Sequence, residues 1–177
     1  MQEVAPGVFP RGPTVPLNLN GPPWLLFDHF RKKFWRLDHG QAGENPRLTR
    51  VQVDNDGKVP VINDGIPWSD GSLLLATDQG LRAYAPAARK LSQVNLPEPP
   101  HPATALVRDG LGRIWLLADK GLWLSESRAK TPESFDRVPW VGRGEVSAIT
   151  SDPQHADGII AALGSRGIAI VRAAQKR

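Results

Sequence analysis

Three runs of apolar residues, Leu73 to Ala76, Ile114 to Ala118 and Ile159 to Leu163, each lie between two glycines nine residues apart. The pairs are Gly71 and Gly80, Gly112 and Gly121, and Gly158 and Gly167, in the segments DGSLLLATDQG, LGRIWLLADKG and DGIIAALGSRG. Each second glycine is followed by alternating apolar positions: Leu81 and Ala83, Leu122 and Leu124, Ile168 and Ile170. Upstream, LTRVQV, LSQVNL and FDRVPW alternate apolar with polar residues, the period-two signature of a half-exposed strand. Between those and the glycines come VPVIND, ATALVRD and VSAITSD, apolar stretches that end in Asp64, Asp109 and Asp152. An aspartate after a strand is turn chemistry, so these three are expected to reverse the chain.

Each unit therefore predicts four short strands: an inner one closed by its Asp, a buried one between the glycines, a third, and an alternating outer strand. A strand covered on both faces reads as continuously apolar, which is what the second strand does. The glycines then serve as turn punctuation, where a positive φ carries little cost.

A weaker copy lies upstream in TVPLNLNGPPWLLFDHF. It aligns Gly21 with Gly71, Trp24 with Leu74 and Trp115, and Asp28 with Asp78 and Asp119. The chain of 177 residues then divides into four units at roughly 12–53, 54–96, 97–140 and 141–177, inside one domain spanning 1–177. A period in the forties is the size of a four-stranded propeller blade. The expected fold is all-β, a β-propeller of four four-stranded repeats. The last unit stops after its third strand, and residues 1–11 are expected to supply the closing outer strand. Closure as a four-bladed ring, as half of a larger ring completed by dimerisation, or as a ring with blades missing all satisfy the pattern.

Seventeen Gly and seventeen Pro favour many turns over long helices. The net charge of +4 lacks the dense basic stripe of a nucleic-acid binder, so no nucleic-acid partner is expected. With no cysteine, disulfides, thiol catalysis and cysteine-ligated zinc are excluded. No apolar run is long enough to span a bilayer, so no membrane insertion is expected of this chain. The opening MQEVAPGVFP has neither a charged n-region nor an apolar h-region, so no signal peptide is expected in it.

The stretch DGLGRIWLLADKGLWL resembles the two-component-regulator propeller repeat through Asp109, Gly112, Ile114, Trp115, Gly121, Leu122 and Trp123. The unit at Gly71 fits with Leu74 in place of Trp, and the unit at Gly158 fits with Ala161 there and a longer turn. A secondary similarity is to sortilin-like and Asp-box propellers, although GLWLSESRAKTPESF lacks the Gly and Trp of that box. The regulator resemblance implies a non-catalytic sensing module that recognises ligands, often carbohydrates. It also implies a periplasmic or extracytoplasmic setting, with the cytoplasm as the alternative. A small-molecule or glycan ligand and a protein partner are the two partner classes it leaves open, together with a homodimer.

No catalytic residues can be assigned. There is no Ser-His-Asp order, Gly-x-Ser-x-Gly elbow or phosphate loop. The four histidines (His29, His39, His101, His155) make no helical zinc spacing, so no metal site and no cofactor are expected. A glycosidase-like or lyase-like enzyme is the least favoured class, because it should show clustered carboxylates or arginines at the blade tops and the short loops leave little room for them; a carboxylate pair as such meets only in tertiary structure. Asp28, Asp78 and Asp119 share one repeat column and could ring a cation. Turn hydrogen bonding is the simpler reading, since the fourth unit has Ser165 there.

Of six tryptophans, Trp24 and Trp115 read as core, Trp35 and Trp123 as contacts between blades, and Trp68 and Trp140 as the exposed pair. Trp68, in the loop IPWSDG, is a candidate stacking platform for a sugar. Loops between second and third strands should open on one face with the loops leading into the inner strands. Gln79, Lys120 and Arg166 would sit there, joined by the Arg31–Lys33 stretch, Lys58 and Arg143. The candidate ligand-binding set is thus Arg31, Lys33, Trp68, Gln79, Lys120, Arg143 and Arg166, a basic rim suited to an anion.

Overall fold

Every apolar run forms the second strand of its own antiparallel sheet. The structure is a computed structural model that describes residues 14–16, 24–28, 32–38, 47–55, 59–68, 71–96, 100–119, 121–125, 134–139 and 145–173. The first sheet holds β1 (Thr14–Pro16), β2 (Trp24–Asp28), β3 (Lys33–Asp38) and β4 (Arg47–Val51) in that spatial order. The second adds β5 (Asp54–Asn55) ahead of β6 (Ile62–Pro67), β7 (Leu73–Thr77), β8 (Gly80–Ala85) and β9 (Lys90–Gln93). There β5 runs parallel to β9 and extends the outer edge, with Asp54 opposite Lys90. The third sheet is β10 (Ala103–Arg108), β11 (Ile114–Ala118), β12 (Gly121–Ser125) and β13 (Asp136–Arg137). The fourth is β14 (Ala148–Ser151), β15 (Gly158–Ala162) and β16 (Ile168–Arg172).

The innermost strands stand side by side in chain order, β1 beside β6, β6 beside β10 and β10 beside β14. Four sheets radiating from a row of inner strands are the blades of a β-propeller, as the repeat period predicts. Among the described residues there is no α-helix, and no helix is long and apolar enough to cross a membrane.

Neighbouring sheets meet through one recurring contact. Leu25, Phe27 and Phe34 of the first sheet pack on Leu73, Leu75, Tyr84 and Leu91 of the second. Leu74, Ala76 and Leu81 pack on Leu106, Ile114, Leu116 and Ala118 of the third. Trp115, Leu117, Leu122 and Leu124 pack on Val146, Ile159 and Ala161 of the fourth. Side chains alternate along a strand, so β7 and β11 feed two interfaces each, and every residue in both is buried. Full burial of a large aliphatic side chain contributes roughly 2 kcal/mol, and these interfaces are the core of the molecule.

The register corrects four sequence alignments. Trp24 pairs with Leu37 as Leu73 pairs with Tyr84, so its column is that of Leu73 and Ile114. Leu25 occupies the place that the alignment gave to Trp24, beside Leu74 and Trp115. A slip of one residue moves a side chain to the opposite face, which is why the distinction matters. Asp28 pairs with Lys33 and so matches Thr77, which pairs with Gly80. It therefore leaves the column of Asp78 and Asp119, whose amides bond the equivalent carbonyls of Val61 and Pro102.

Gly158 is the third correction. The bonds from the Asp109 amide to the Arg113 carbonyl and from the Asp152 amide to the Gly158 carbonyl make Gly158 the counterpart of Arg113. The place of the apolar Trp115 is then taken by Ile160, not Ala161. The nine-residue spacing survives in this unit because a later start is offset by a longer turn, which includes the 3-10 segment Gly164–Arg166. Last, Asp64 does not reverse the chain, since β6 continues to Pro67 through a bulge at Ile62/Asp64. Its carboxylate instead accepts the amides of Gly65 and, in the next blade, Leu106 at 2.8 and 2.9 Å.

Candidate functional site

The seam between the first and second sheets opens outward into a cavity of about 560 Å³. Two turns and the end of one strand supply its cations. Lys32 closes the turn into β3, Lys33 begins that strand, Arg50 lies near the end of β4, and Arg89 ends the turn between β8 and β9. Phe34, Val51, Val53 and Val59 form its apolar wall. Among the described residues no carboxylate lines the cavity, and none of the four cations makes an ion pair. Four like charges around one concavity add their fields and draw an anion inward.

Two of the four hold unusual backbone. Lys32 has φ 53° and Arg89 φ 52°, both in the left-handed region that glycine occupies without strain. Arg89 reaches it because its amide bonds back to the Pro86 carbonyl at 3.2 Å, closing the turn ahead of β9. Each such residue costs about 1 kcal/mol, and residues held in this way gather where a site needs them.

A second, smaller chamber of about 200 Å³ adjoins the first. Val51, Gln52 and Arg89 line both, and Leu25, Tyr84, Pro86 and Ala87 complete the smaller one. Arg36 also faces it, with its guanidinium engaged by Asp38 at 2.7 and 2.8 Å. Phe34 stacks on Tyr84 with ring centroids 5.2 Å apart and planes at 18°, and both rings are buried in the core of the seam. Phe27 meets the other side of Phe34 edge-on, also at 5.2 Å, and holds the stack in place. Burial pushes the Tyr84 phenol up, partly countered by the Arg89 charge, so the hydroxyl is neutral at physiological pH.

Of the sequence-derived candidates, Lys33 lines the cavity. Trp68 is half-buried against the core between the second and third sheets, and its amide bonds the Ser72 carbonyl at 2.7 Å. It is thus a packing residue at a hairpin turn and not an exposed platform. Gln79 stands in the turn between β7 and β8, where its side-chain oxygen accepts from Arg82 at 3.0 Å. Arg166 is exposed on the 3-10 turn of the fourth blade. Neither lines the cavity. Arg31, Lys120 and Arg143, with Lys58 and Trp140, lie outside the described residues.

Arg50 and Arg89 escape a reading of the sequence that looks only to the loops of one face. The signal available was PAARK, a turn that ends on two cations ahead of an alternating strand. Asp78 accepts the Val61 amide at 2.9 Å, a bond to the residue ahead of β6 and not one within its own turn. Among the described residues no group of His, Asp and Glu is arranged to hold a metal ion.

No family model matches the sequence, and no curated protein matches it significantly. Solved structures do share its fold. A putative gluconolactonase superposes with a TM-score of 0.60 at 17% identity, over 84% of this chain and 56% of that one. PorZ, a surface component of the type-IX secretion system of Porphyromonas gingivalis, gives 0.54 at 15% identity, over 84% of this chain and 19% of its own. Virginiamycin B lyase from Staphylococcus aureus gives 0.54 at 11% identity, over 90% of this chain and 55% of the lyase. This chain therefore spans between about a fifth and just over half of the length of these three proteins. At such identities the likeness is one of fold, and it places the chain among β-propellers.

Proposed function

We propose that this propeller is a non-catalytic recognition module that holds an anionic ligand in the cavity between its first and second blades. The observation that carries this reading is the set of Lys32, Lys33, Arg50 and Arg89 around one cavity, with no carboxylate among the described residues of its lining. Cations, one amide and apolar groups suit holding an anion better than breaking a bond. General acid–base or nucleophilic work needs a matched donor and acceptor at the reacting atom. The solved structures of similar fold include a lyase and a putative lactonase, and those activities belong to them.

The regulator-type repeat around Asp109 to Trp123 supports a sensing role, with a small-molecule or glycan anion as the signal and an extracytoplasmic setting. Isothermal titration with inorganic phosphate and sulfate at low ionic strength tests the reading. Saturable binding is expected, weakened at least tenfold by Arg89→Gly combined with Arg50→Gln. Arg89→Gly removes the charge while keeping a residue at home with positive φ. Absence of saturable binding of either anion by the wild type overturns the reading.

A second reading, a protein-interaction scaffold, is favoured by one feature of the fourth blade. Ile168 and Ile170 are 74% and 57% exposed on β16, in the column that Leu122 and Leu124 fill at the preceding seam. Ile160 and Ala162 stand opposite them on β15. At the internal seams Phe34, Leu81 and Leu122 of this column are covered by a further sheet, so the occupant it fits is a sheet of a second copy.

A further inference from the structure

Each internal sheet carries two apolar faces, one for the sheet before it and one for the sheet after it, and the two terminal sheets each carry one face to spare. On the fourth sheet, Ile159 and Ala161 pack at the third seam, so Ile160, Ala162, Ile168 and Ile170 share the opposite face. On the first sheet, Leu25, Phe27 and Phe34 pack at the first seam. Leu26 of β2, Trp35 and Leu37 of β3 and Leu48 of β4 therefore share its opposite face. Trp35 is buried there and the three leucines are half-buried, and among the described residues none of the four belongs to a seam cluster.

The register shows that these two faces are the two halves of one seam. Leu26 and Leu37 hold the places of Leu75 and Tyr84, and Leu48 that of Leu91. Those three residues are the ones with which the second sheet receives the first. Trp35 holds the place of Trp123, which packs at the second seam, where the third sheet receives the second. The spare face of the first sheet is thus a receiving face that keeps its apolar residues. Ile168 and Ile170, in the places of Leu122 and Leu124, form the matching face that every sheet turns to its successor. The first seam shows how such faces meet: Phe34, the counterpart of Ile168, stacks on Tyr84, the counterpart of Leu37, with centroids 5.2 Å apart.

We propose that two copies of this chain join head to tail, the fourth sheet of each seated on the first sheet of the other, in an eight-bladed ring. Ile168 of one copy then meets Leu37 of the other, and the contact occurs twice. This rests on the second-copy reading above and names the surface that covers the β16 column. Pairing of the two β16 columns with each other would leave both receiving faces bare, whereas the ring covers all four faces. A head-to-tail contact either closes or runs on as a filament. Two copies of four sheets reach the upper end of the usual range of about four to eight blades, so closure comes at two.

The chain has no cysteine, so introduced thiols report only on their own positions. Ile168→Cys and Leu37→Cys are made as separate full-length variants and treated with a short bis-maleimide, alone and after equilibration as a mixture. The wild type is expected to sediment at twice the chain mass at micromolar concentration. A covalent dimer is expected from the mixture and from neither variant alone. Leu48→Cys, on the outer strand of the same face, replaces Leu37→Cys if that variant does not fold. Suppose the wild type is a dimer: a covalent dimer from Ile168→Cys alone, or none from a mixture of folded variants, overturns the ring and leaves the second-copy reading standing. A strictly monomeric wild type overturns both.

Discussion

The indole Nε1–H of Trp115 donates to the carboxylate of Asp109 at 2.9 Å, both groups being buried between the third and fourth blades. That carboxylate is a hub. It also accepts the amides of Leu111 and Arg113 at 3.0 and 2.9 Å, and the guanidinium of Arg113 at 2.8 Å. Arg113 in turn donates to the Asp157 carbonyl of the next blade at 2.8 Å, which ties the hairpin across the seam. Asp109, Arg113 and Trp115 thus form a structural clasp between the third and fourth blades.

Asp109→Asn should weaken folding strongly. The amide keeps one acceptor and turns an NH2 towards donors, leaving the Trp115 indole or Arg113 unpaired in a buried place. Losing a charged partner from a buried network costs on the order of 3 kcal/mol, and a Tm lower by at least about 5 °C is expected in thermal denaturation. A variant that melts with the wild type would deny the clasp its structural role.

Two neighbouring glycines should respond differently to Ala. A Cβ on Gly110 would lie 2.8 Å from both Cα and Cβ of Ala156, an approach that only backbone movement at the seam can relieve. Gly112, with φ 83°, has open space where a methyl group would stand, so its substitution meets only backbone strain. Gly110→Ala is therefore expected to cost about 2 kcal/mol, through overpacking. Gly112→Ala should cost about 1 kcal/mol. Urea denaturation of the two variants should preserve that order.

The stitch made by Asp64 carries a pH dependence of defined sign. Burial raises its carboxyl above the ordinary value of 3.8, a rise partly opposed by the Leu106 and Gly65 amides. The folded state therefore binds the proton more tightly than the unfolded one. Stability from this group is greatest below 3.8 and falls as pH rises through the raised value. Asp152 acts oppositely: the Gln154 amide and His155 lower its carboxyl, so its contribution is lost as pH falls. In urea titrations from acid to neutral pH, Asp64→Asn should remove the declining component and leave the Asp152 component in place. Parallel pH profiles for the variant and wild type would contradict the assignment.

The blades are legible in the sequence because a strand buried on both faces has no alternative to a continuous apolar run, as in Leu73 to Ala76. Position along those runs is less legible. Gly158 sits nine residues before Gly167, as Gly112 does before Gly121, yet it matches Arg113 because two length changes cancel. Spacing records only the sum of such changes, whereas hydrogen bonds record each one. The site is harder still to read. Arg50 and Arg89 are 39 positions apart and converge only because β5 carries the chain from the end of the first sheet to the outer edge of the second. Nothing in a local pattern announces a two-residue parallel strand.

The exposed column on β16 leads to the last prediction. At the three internal seams the equivalents of Ile168, which are Phe34, Leu81 and Leu122, are covered by the following sheet and belong to the core. Ile168 and Ile170 instead face solvent, so replacing both by Glu removes little native contact and should change stability by no more than about 0.5 kcal/mol. The same change places two carboxylates in any interface formed there. If a second copy covers the column, the wild type sediments as a dimer at micromolar concentration and Ile168→Glu/Ile170→Glu as a monomer with an unchanged Tm. A wild type that is strictly monomeric in sedimentation would leave the column uncovered and remove the support for the scaffold reading, while the anion cleft between the first two blades, on the far side of two seams, would be untouched.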